Sequence, residues 1–396
     1  MKVTILYNKS NTGGLQQDSM LIQRILESQG FQVRVADPLE PQGPCDIAIH
    51  LEIPVYAAAC LASYNVFVIN PEWWQEAWSS YLPRADLLIF KCDADKERFL
   101  VNRESLPSVT IPWATPVEQS DFALAIADAF RPFKGKGQEQ FPRLLQDAEL
   151  PNISVITLLY NRRKFVDLAI HNLLVTDYPK DKIEWLVVED SDITDEQAAD
   201  KVIKFGRESA PLSVSYIPMP STHKIKNTIG AKRNLGIQRA QHDIILFMDD
   251  DDHYPDSSFR RRVSTLLTHR WKPQAAACTT IACYDLIKGT SAVNTPPWTL
   301  PLKKRISEAT LVFYKSWWAE KGFPDTNVAE GEGFLDGREN HVVELPPQQI
   351  IVAMSHSQNS TSRRIPPGPS GKPSCFWGFP KEFLKWLHGL VGVEIE

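Results

Sequence analysis

The run Ile244-Ile245-Leu246-Phe247-Met248-Asp249-Asp250-Asp251-Asp252 joins an apolar stretch to four carboxylates without a break. An apolar run of this length reads as a buried strand. The acids then stand at its carboxyl end, the edge at which parallel α/β sheets bind ligands. Adjacent carboxylates repel one another unless a cation neutralises them, so a hard divalent ion is one expected partner. Taken alone, the run reads equally well as a solvated acidic loop.

Upstream, Gly230-Ala231-Lys232-Arg233-Asn234-Leu235-Gly236-Ile237 has the pattern of a helix with basic and amide side chains. A helix N-terminus with Lys or Arg suits a diphosphate; the alternative is an ordinary solvated face. Earlier still, Val187-Val188-Glu189-Asp190-Ser191-Asp192 is a second strand ending in acids. A carboxylate there would accept from a nucleobase ring N–H or a ribose hydroxyl, unless Asp192 merely caps the next helix. The unit opens with Ser154-Val155-Ile156-Thr157-Leu158-Leu159-Tyr160-Asn161-Arg162, followed by a helix over about 163–174 and a strand over 183–188.

The first third of the chain alternates in the same way. Strands are expected at residues 3–7, 33–36, 46–51, 66–70 and 86–90, with a helix over 18–29 ended by Gly30. This predicts a parallel α/β layer. Its Asn11-Thr12-Gly13-Gly14 loop lacks the spacing of a dinucleotide fingerprint and the Lys of a P-loop. Trp73, Trp74 and Trp78 would serve as sugar-stacking surface or, more ordinarily, as core. The domain boundaries read as 1–133, a polar glycine-punctuated linker over 134–150, a second α/β domain over 151–375, and an amphipathic helix over 376–396. That helix places Phe383, Leu384, Leu387, Leu390 and Val391 on one face; docking on the protein's own core is the main reading, weak membrane-surface contact the lesser one.

Composition narrows the partners. A formal net charge of −5 with no Lys/Arg block argues against nucleic acid and anionic lipid. The most apolar stretch, residues 55–69, is interrupted by Ser63, Tyr64 and Asn65 and falls short of the ~20 residues of a transmembrane helix. The six cysteines have no zinc spacing. Reduced, mostly buried thiols in a cytoplasmic protein are expected.

In their order, the four segments resemble the family 2 glycosyltransferases of the GT-A fold, over about 152–360. The resemblance implies a GT-A nucleotide-diphospho-sugar transferase domain, here preceded by a smaller Rossmann-like parallel α/β domain reminiscent of a GT-B half. It implies that Asp249-Asp250-Asp251 is the DxD element, with Asp251 on a metal and Asp249 nearer the ribose or sugar. Thr157, Tyr160 and Arg162 would hold the nucleoside together with Glu189 or Asp190, whose motif here is Glu-Asp-Ser-Asp in place of the family's Asp-Asp-Gly-Ser. Lys226, Lys232 or Arg233 would lie near the phosphates.

Val328-Ala329-Glu330-Gly331-Glu332-Gly333-Phe334-Leu335 stands where the family places an acidic general base, with Glu332 the first choice and Glu330 the second. His356 resembles a further metal ligand, and mixed carboxylate and imidazole ligands suit Mn²⁺, with Mg²⁺ the alternative. Arg363 and Arg364 follow on a Gly/Pro-rich loop suited to a lid. The implied activity is inverting, metal-dependent transfer of a sugar from a nucleotide-sugar donor, expected to be UDP-linked, to a hydroxyl of a glycan or glycoconjugate. Rivals are a sugar-phosphate nucleotidyltransferase, a non-catalytic carbohydrate-binding or scaffold protein with a degenerate transferase domain, and a chain whose first domain is itself a transferase. The first would carry a Gly-rich loop followed by Thr-Arg, where this chain has Tyr160-Asn161-Arg162-Arg163.

Overall fold

The computed structural model describes residues 1–40, 42–101, 103, 106–112, 142–220, 227–347, 349–359 and 378–394. The chain divides into two compact units, Met1–Arg143 with Pro297–Pro301, and Leu144–Pro296 with Leu302–Glu396.

The first unit holds strands β1 (Lys2–Leu6), β2 (Gln32–Ala36), β3 (Cys45–Leu51), β4 (Ala62–Val68), β5 (Leu87–Phe90) and β6 (Ser108–Thr110). Among the described residues they form one parallel sheet in the order β2-β1-β3-β4-β5-β6. Strands covered on both faces become continuous buried runs, as in β3, where Ile47, Ile49 and Leu51 on one face and Ala48 and His50 on the other are all buried. On one face, Ile22, Ile25 and Leu26 of the Gly14–Ser28 helix pack on Val3, Ile5 and Ile47. The apolar stretch at 55–69 breaks into a short helix, Tyr56–Leu61, followed by β4. Trp78 is core, 3% exposed, whereas Trp73 is 65% exposed.

The second unit carries a seven-stranded sheet in the order β15-β11-β14-β10-β7-β8-β9 among the described residues. Strands β7 (Ile153–Leu159), β8 (Ile183–Glu189), β10 (Ile244–Phe247) and the edge strand β9 (Ser213–Pro218) run parallel. Beyond β10 lie β14 (Val312–Tyr314), antiparallel to it, then β11 (Ala275–Ala277) and β15 (Val342–Glu344). A separate sheet of β13 (Thr290–Asn294), β12 (Ile281–Asp285) and β16 (Val352–Ser355) completes the unit. The register sets Phe247 beside Ile156 and Leu159 beside Glu189, so the loops after β7, β8 and β10 emerge at one sheet edge.

Two boundaries differ from the sequence reading. The expected linker over 134–150 ends early: Leu145 and Leu150 are buried, and the Leu145 N–H donates to Ser264 Oγ at 2.9 Å, so these residues belong to the second unit. Residues 134–141 lie outside the described residues. The C-terminal helix spans Lys381–Gly389 and clusters with the second unit. Its Leu387 is buried in a cluster with Leu168, Tyr284 and Met354, and Phe383 stacks on His171 with centroids 4.8 Å apart. The apolar face is thereby covered in part by the protein's own core. No helix among the described residues is long and apolar enough to cross a membrane. Cys45, Cys60, Cys278 and Cys283 are free and buried, and Cys92 is free and exposed; Cys375 lies outside the described residues.

Candidate active site

The aspartates follow β10 directly, and their carboxylates do not disperse into solvent. Asp250, Asp251 and Asp252 are 3%, 5% and 1% exposed. One carboxylate oxygen from each of Asp249, Asp251 and Asp252 lies within 4.8 Å of the others. The turn is pinned from below: the Asp249 N–H donates to the Tyr254 hydroxyl (2.9 Å), which donates to the Ala309 carbonyl (3.0 Å). Asp252 Oδ1 accepts from the Met354 N–H at 2.8 Å, and its carbonyl accepts from Asn172 Nδ2 at 2.8 Å.

Asp251 Oδ2 collects three donors: Arg162 Nη1 at 2.7 Å, His356 Nε2 at 3.1 Å and Asn359 Nδ2 at 3.2 Å. Arg162 also reaches Asp250 Oδ1 at 3.3 Å and the Gln358 carbonyl at 2.7 Å. Because His356 Nδ1 accepts the Gln358 N–H at 3.2 Å, Nε2 carries the proton it shares with Asp251. Burial, then the neighbouring Asp251, pushes the Asp250 carboxyl well above the usual carboxylate range, and its Oδ2 is buried with no hydrogen-bond partner. Carboxylate oxygens of Asp249, Asp251 and Asp252 this close together, two of them on buried side chains, fit a hard divalent cation. Of the expected Asp249, Asp251 and His356, the two aspartates converge with Asp252, which sequence reading passes over as a neighbour, while His356 meets the group at Asp251 Oδ2.

The second motif resolves into two different roles. Glu189 is a brace, its oxygens accepting from Ser191 Oγ (2.6 Å), Tyr216 Oη (2.9 Å) and the Ala198 N–H (3.1 Å). Asp190, 1% exposed, faces Lys232, whose Nζ donates to its Oδ1 at 2.7 Å. Asp192 caps no helix; it accepts from Asn161 Nδ2 at 2.7 Å, and its own N–H donates to Asn161 Oδ1 at 3.2 Å. Asn161 adopts φ 51°, a left-handed conformation that Asn tolerates better than most residues, and so ties the loops after β7 and β8 together. Tyr160 lies beside this bridge with Lys232 Nζ 5.6 Å from its ring centroid. Thr157 does not reach the cleft: it is fully buried, and its hydroxyl accepts the Trp185 indole N–H at 2.9 Å.

The helix Ile229–Arg239 carries the basic motif, capped by Thr228 Oγ1, which accepts the Ala231 N–H at 3.0 Å. Gly236 lets it approach the sheet, since a Cβ there would lie 2.7 Å from Ile156 Cγ2. Burial of Lys232 (4% exposed) and Arg233 (5%) removes the solvated-face reading. Neither side chain is a loose phosphate-seeking cation: Lys232 holds Asp190, and Arg233 donates to Glu330 Oε1 from Nη2 at 3.2 Å while lying 4.2 Å from the Phe247 ring centroid. Lys226, Arg363 and Arg364 lie outside the described residues.

The acidic segment forms a short helix, Glu330–Leu335. Glu330 is 6% exposed and tied to Arg233. Glu332 turns to Lys304 (3.8 Å) and is about a third exposed. A third glutamate, Glu308, stands beside them and carries no sequence signal. It belongs to the 3₁₀ turn Glu308–Thr310 that leads into β14, the strand beside β10.

Residues 154–285 match the family model described as Glycosyl transferase family 2. This segment, which carries the parallel strands β7, β8, β9 and β10, is thus matched to the family 2 glycosyltransferases on an α/β fold. The chain is similar to the poly(ribitol-phosphate) β-N-acetylglucosaminyltransferase TarS of Staphylococcus aureus strains Mu50 and MW2, with 30% identity over 100 residues, or 25% of this chain and 16% of the relative. It therefore matches less than a fifth of the length of these curated relatives. Among solved structures, S. aureus TarS 1-349 in complex with UDP-GlcNAc aligns over 52% of this chain and 60% of that one (TM-score 0.41, 16% identity). The mannosyltransferase PcManGT from Pyrobaculum calidifontis in complex with GDP-Man and Mn²⁺ aligns over 59% and 64% (TM-score 0.40, 15% identity).

Proposed function

We propose that the chain transfers a sugar from a nucleotide-sugar donor, UDP-linked, to a hydroxyl of a glycan or glycoconjugate, with inversion at the anomeric carbon. The observation that carries this reading is the convergence of Asp249 with the buried Asp251 and Asp252 carboxylates at the end of β10, within the segment matched to family 2. The curated relatives, named as N-acetylglucosaminyltransferases, support the reaction class and make UDP-N-acetylglucosamine the first donor to try.

Asp249, Asp251 and Asp252 would hold Mn²⁺ or Mg²⁺, joined by His356 once its Nε2 gives up the proton it shares with Asp251; the ion when bound supplies positive charge to a departing diphosphate. Asp190, fixed by Lys232 and flanked by Tyr160, would accept from the base or ribose of the donor. Arg162 is placed to reorient between the aspartates and a phosphate, a bidentate partner for either. A carboxylate of the Glu308, Glu330 and Glu332 group would take the acceptor proton, with Glu332 and Glu330 as the sequence-based candidates.

The test is nucleotide release from UDP-N-acetylglucosamine, UDP-glucose, UDP-galactose and GDP-mannose with Mn²⁺, with Mg²⁺ and with a chelator. Metal-dependent release from one donor, with inverted anomeric configuration in the product by NMR, is expected. Silence on every donor with sugar binding intact would point instead to a non-catalytic carbohydrate-binding protein.

A further inference from the structure

Three glutamates share one corner of the second unit, and their surroundings set them apart. Glu330 is buried and its Oε1 is engaged by Arg233 Nε and Nη2 at 3.3 and 3.2 Å. A base so held gives up an ion pair whenever it takes a proton. Glu332 sits about a third exposed with the Lys304 ammonium 3.8 Å away. Glu308 makes no ion pair and no side-chain hydrogen bond among the described residues, and its carboxyl is largely withdrawn from water although the residue keeps some exposed surface.

Its place is fixed from both sides. The Ser307 N–H donates to the Cys278 carbonyl at 2.8 Å, and the Cys278 N–H donates to Thr310 Oγ1 at 2.8 Å, which anchors the turn on the end of β11. The next residue, Ala309, accepts the Tyr254 hydroxyl that also receives the Asp249 N–H. The turn is therefore hydrogen-bonded through one side chain to the backbone of the first aspartate. On its other flank, a Cβ built on Gly331 would stand 2.5 Å from Glu308 Cγ and 2.5 Å from Oε1. The Glu308 carboxylate thus occupies the space that a side chain at position 331, between Glu330 and Glu332, would fill. Gly331 is a requirement of this packing.

We infer that Glu308 is the general base of the transfer, standing in from β14's leading turn for a side chain that Gly331 lacks. This rests on the glycosyl-transfer reading above. The acceptor O–H proton passes to a Glu308 carboxylate oxygen as the acceptor oxygen forms its bond to the anomeric carbon. The bond from that carbon to the diphosphate oxygen breaks, its electron pair leaves with the nucleoside diphosphate, and Glu308 later returns the proton to water. Burial first, then the Glu330 carboxylate, raises the Glu308 pKa against the lowering effect of Arg233. That shift brings a carboxylate towards the range where a base works at neutral pH.

The experiment measures nucleotide release and donor binding on the full chain, with water or a saccharide as acceptor and the donors and metals named above. Glu308→Gln is expected to lower turnover by about 10²–10⁴-fold, with donor affinity unchanged within about twofold and melting behaviour intact. Glu308→Asp should recover part of the rate. The acidic limb of the pH–rate profile should disappear in Glu308→Gln and persist in Glu332→Gln. Gly331→Ala, which forces the Glu308 carboxylate aside, should lower turnover while sparing donor affinity. Wild-type turnover that survives Glu308→Gln with its acidic limb unchanged would overturn the assignment while leaving the transferase reading standing. Loss of donor affinity in Glu308→Gln and Gly331→Ala would overturn it too, by making the carboxylate a structural support. A wild-type protein silent on every donor would remove both readings together.

Discussion

Each of the two units presents the carboxyl edge of a parallel sheet, and the two edges treat charge in opposite ways. In the first, the loop after β1 satisfies itself at the surface: Asn8 Oδ1 accepts the Ser10 N–H (3.0 Å), Asn11 Oδ1 accepts the Gly13 N–H (3.1 Å), and Lys9 pairs with Glu40 at about 40% exposure of both. In the second, Asp190 with Lys232, Glu330 with Arg233, and Asp250 and Asp251 with Arg162 are all drawn out of water. Burying ions costs several kcal/mol each unless the geometry repays it. An edge that keeps so many charges buried is organised around something other than its own stability. Polar composition is common to both edges, and burial of the charge is what distinguishes them.

The strongest attack on this contrast is at Asp251, the acceptor of three donors. Asp251→Ala should reduce nucleotide release by about a thousandfold and weaken metal-dependent donor binding, read by calorimetry with and without Mn²⁺. Retention of turnover within tenfold would mean that the buried carboxylates are structural.

Next in size is the Lys232–Asp190 pair. Lys232→Met leaves Asp190 buried without its cation and should cost about 3–5 kcal/mol of stability, measured by denaturant unfolding. Adding Asp190→Asn to that variant should restore much of the stability but not donor affinity. If the single variant unfolds like wild type, the pair is solvated in solution and the contrast between the edges weakens.

Much of this was legible in the sequence, for identifiable reasons. Apolar runs ending in acids locate β8 and β10 because strands buried on both faces cannot alternate, and the ligand edge follows from their direction. The side chains that complete the site were not legible, since they come from distant chain segments that topology alone brings in. Glu308, inferred above as the base, arrives on the 3₁₀ turn that leads into the antiparallel β14, with no motif around it. Asn359 reaches Asp251 across 108 positions. Thr157 misleads because the resemblance assigns it to the nucleoside by its place on the strand, while the indole of Trp185 on the next strand claims its hydroxyl. Lys232 and Arg233 read as phosphate-facing or solvated, and not as buried ion-pair partners, because their spacing reveals the helix but not its close approach at Gly236.

A smaller effect separates buried charge as such from buried charge in the aspartate group. Glu344, at the end of β15, is 3% exposed and accepts from the Thr279 hydroxyl; burial raises its pKa, opposed by Arg305. The folded protein therefore binds this proton more tightly than the unfolded chain. Its contribution is fully present below the unfolded carboxylate pKa and is lost as pH rises through the folded value. Glu344→Gln keeps an acceptor for Thr279 and removes the titration. Its melting temperature should exceed that of wild type by a few degrees at pH 8, and the gap should shrink towards pH 5. A gap independent of pH would show that Glu344 is not held in its raised state.

The smallest expected effect lies at the first unit's edge, and there the comparison is most easily broken. Lys9 Nζ is 2.5 Å from Glu40 Oε1, with the two side chains 41% and 38% exposed, so water and salt screen most of the attraction. The fold of the loop depends on the Lys9 backbone, whose N–H donates to Asp37 Oδ2 at 2.8 Å and survives a change of side chain. Lys9→Ala should therefore cost less than about 1 kcal/mol and leave nucleotide release and donor affinity within about twofold of wild type. A tenfold loss of turnover with unchanged stability would mean that this exposed ammonium meets an anionic substrate. The first edge would then be a binding surface in its own right, and burial of charge would no longer separate the two.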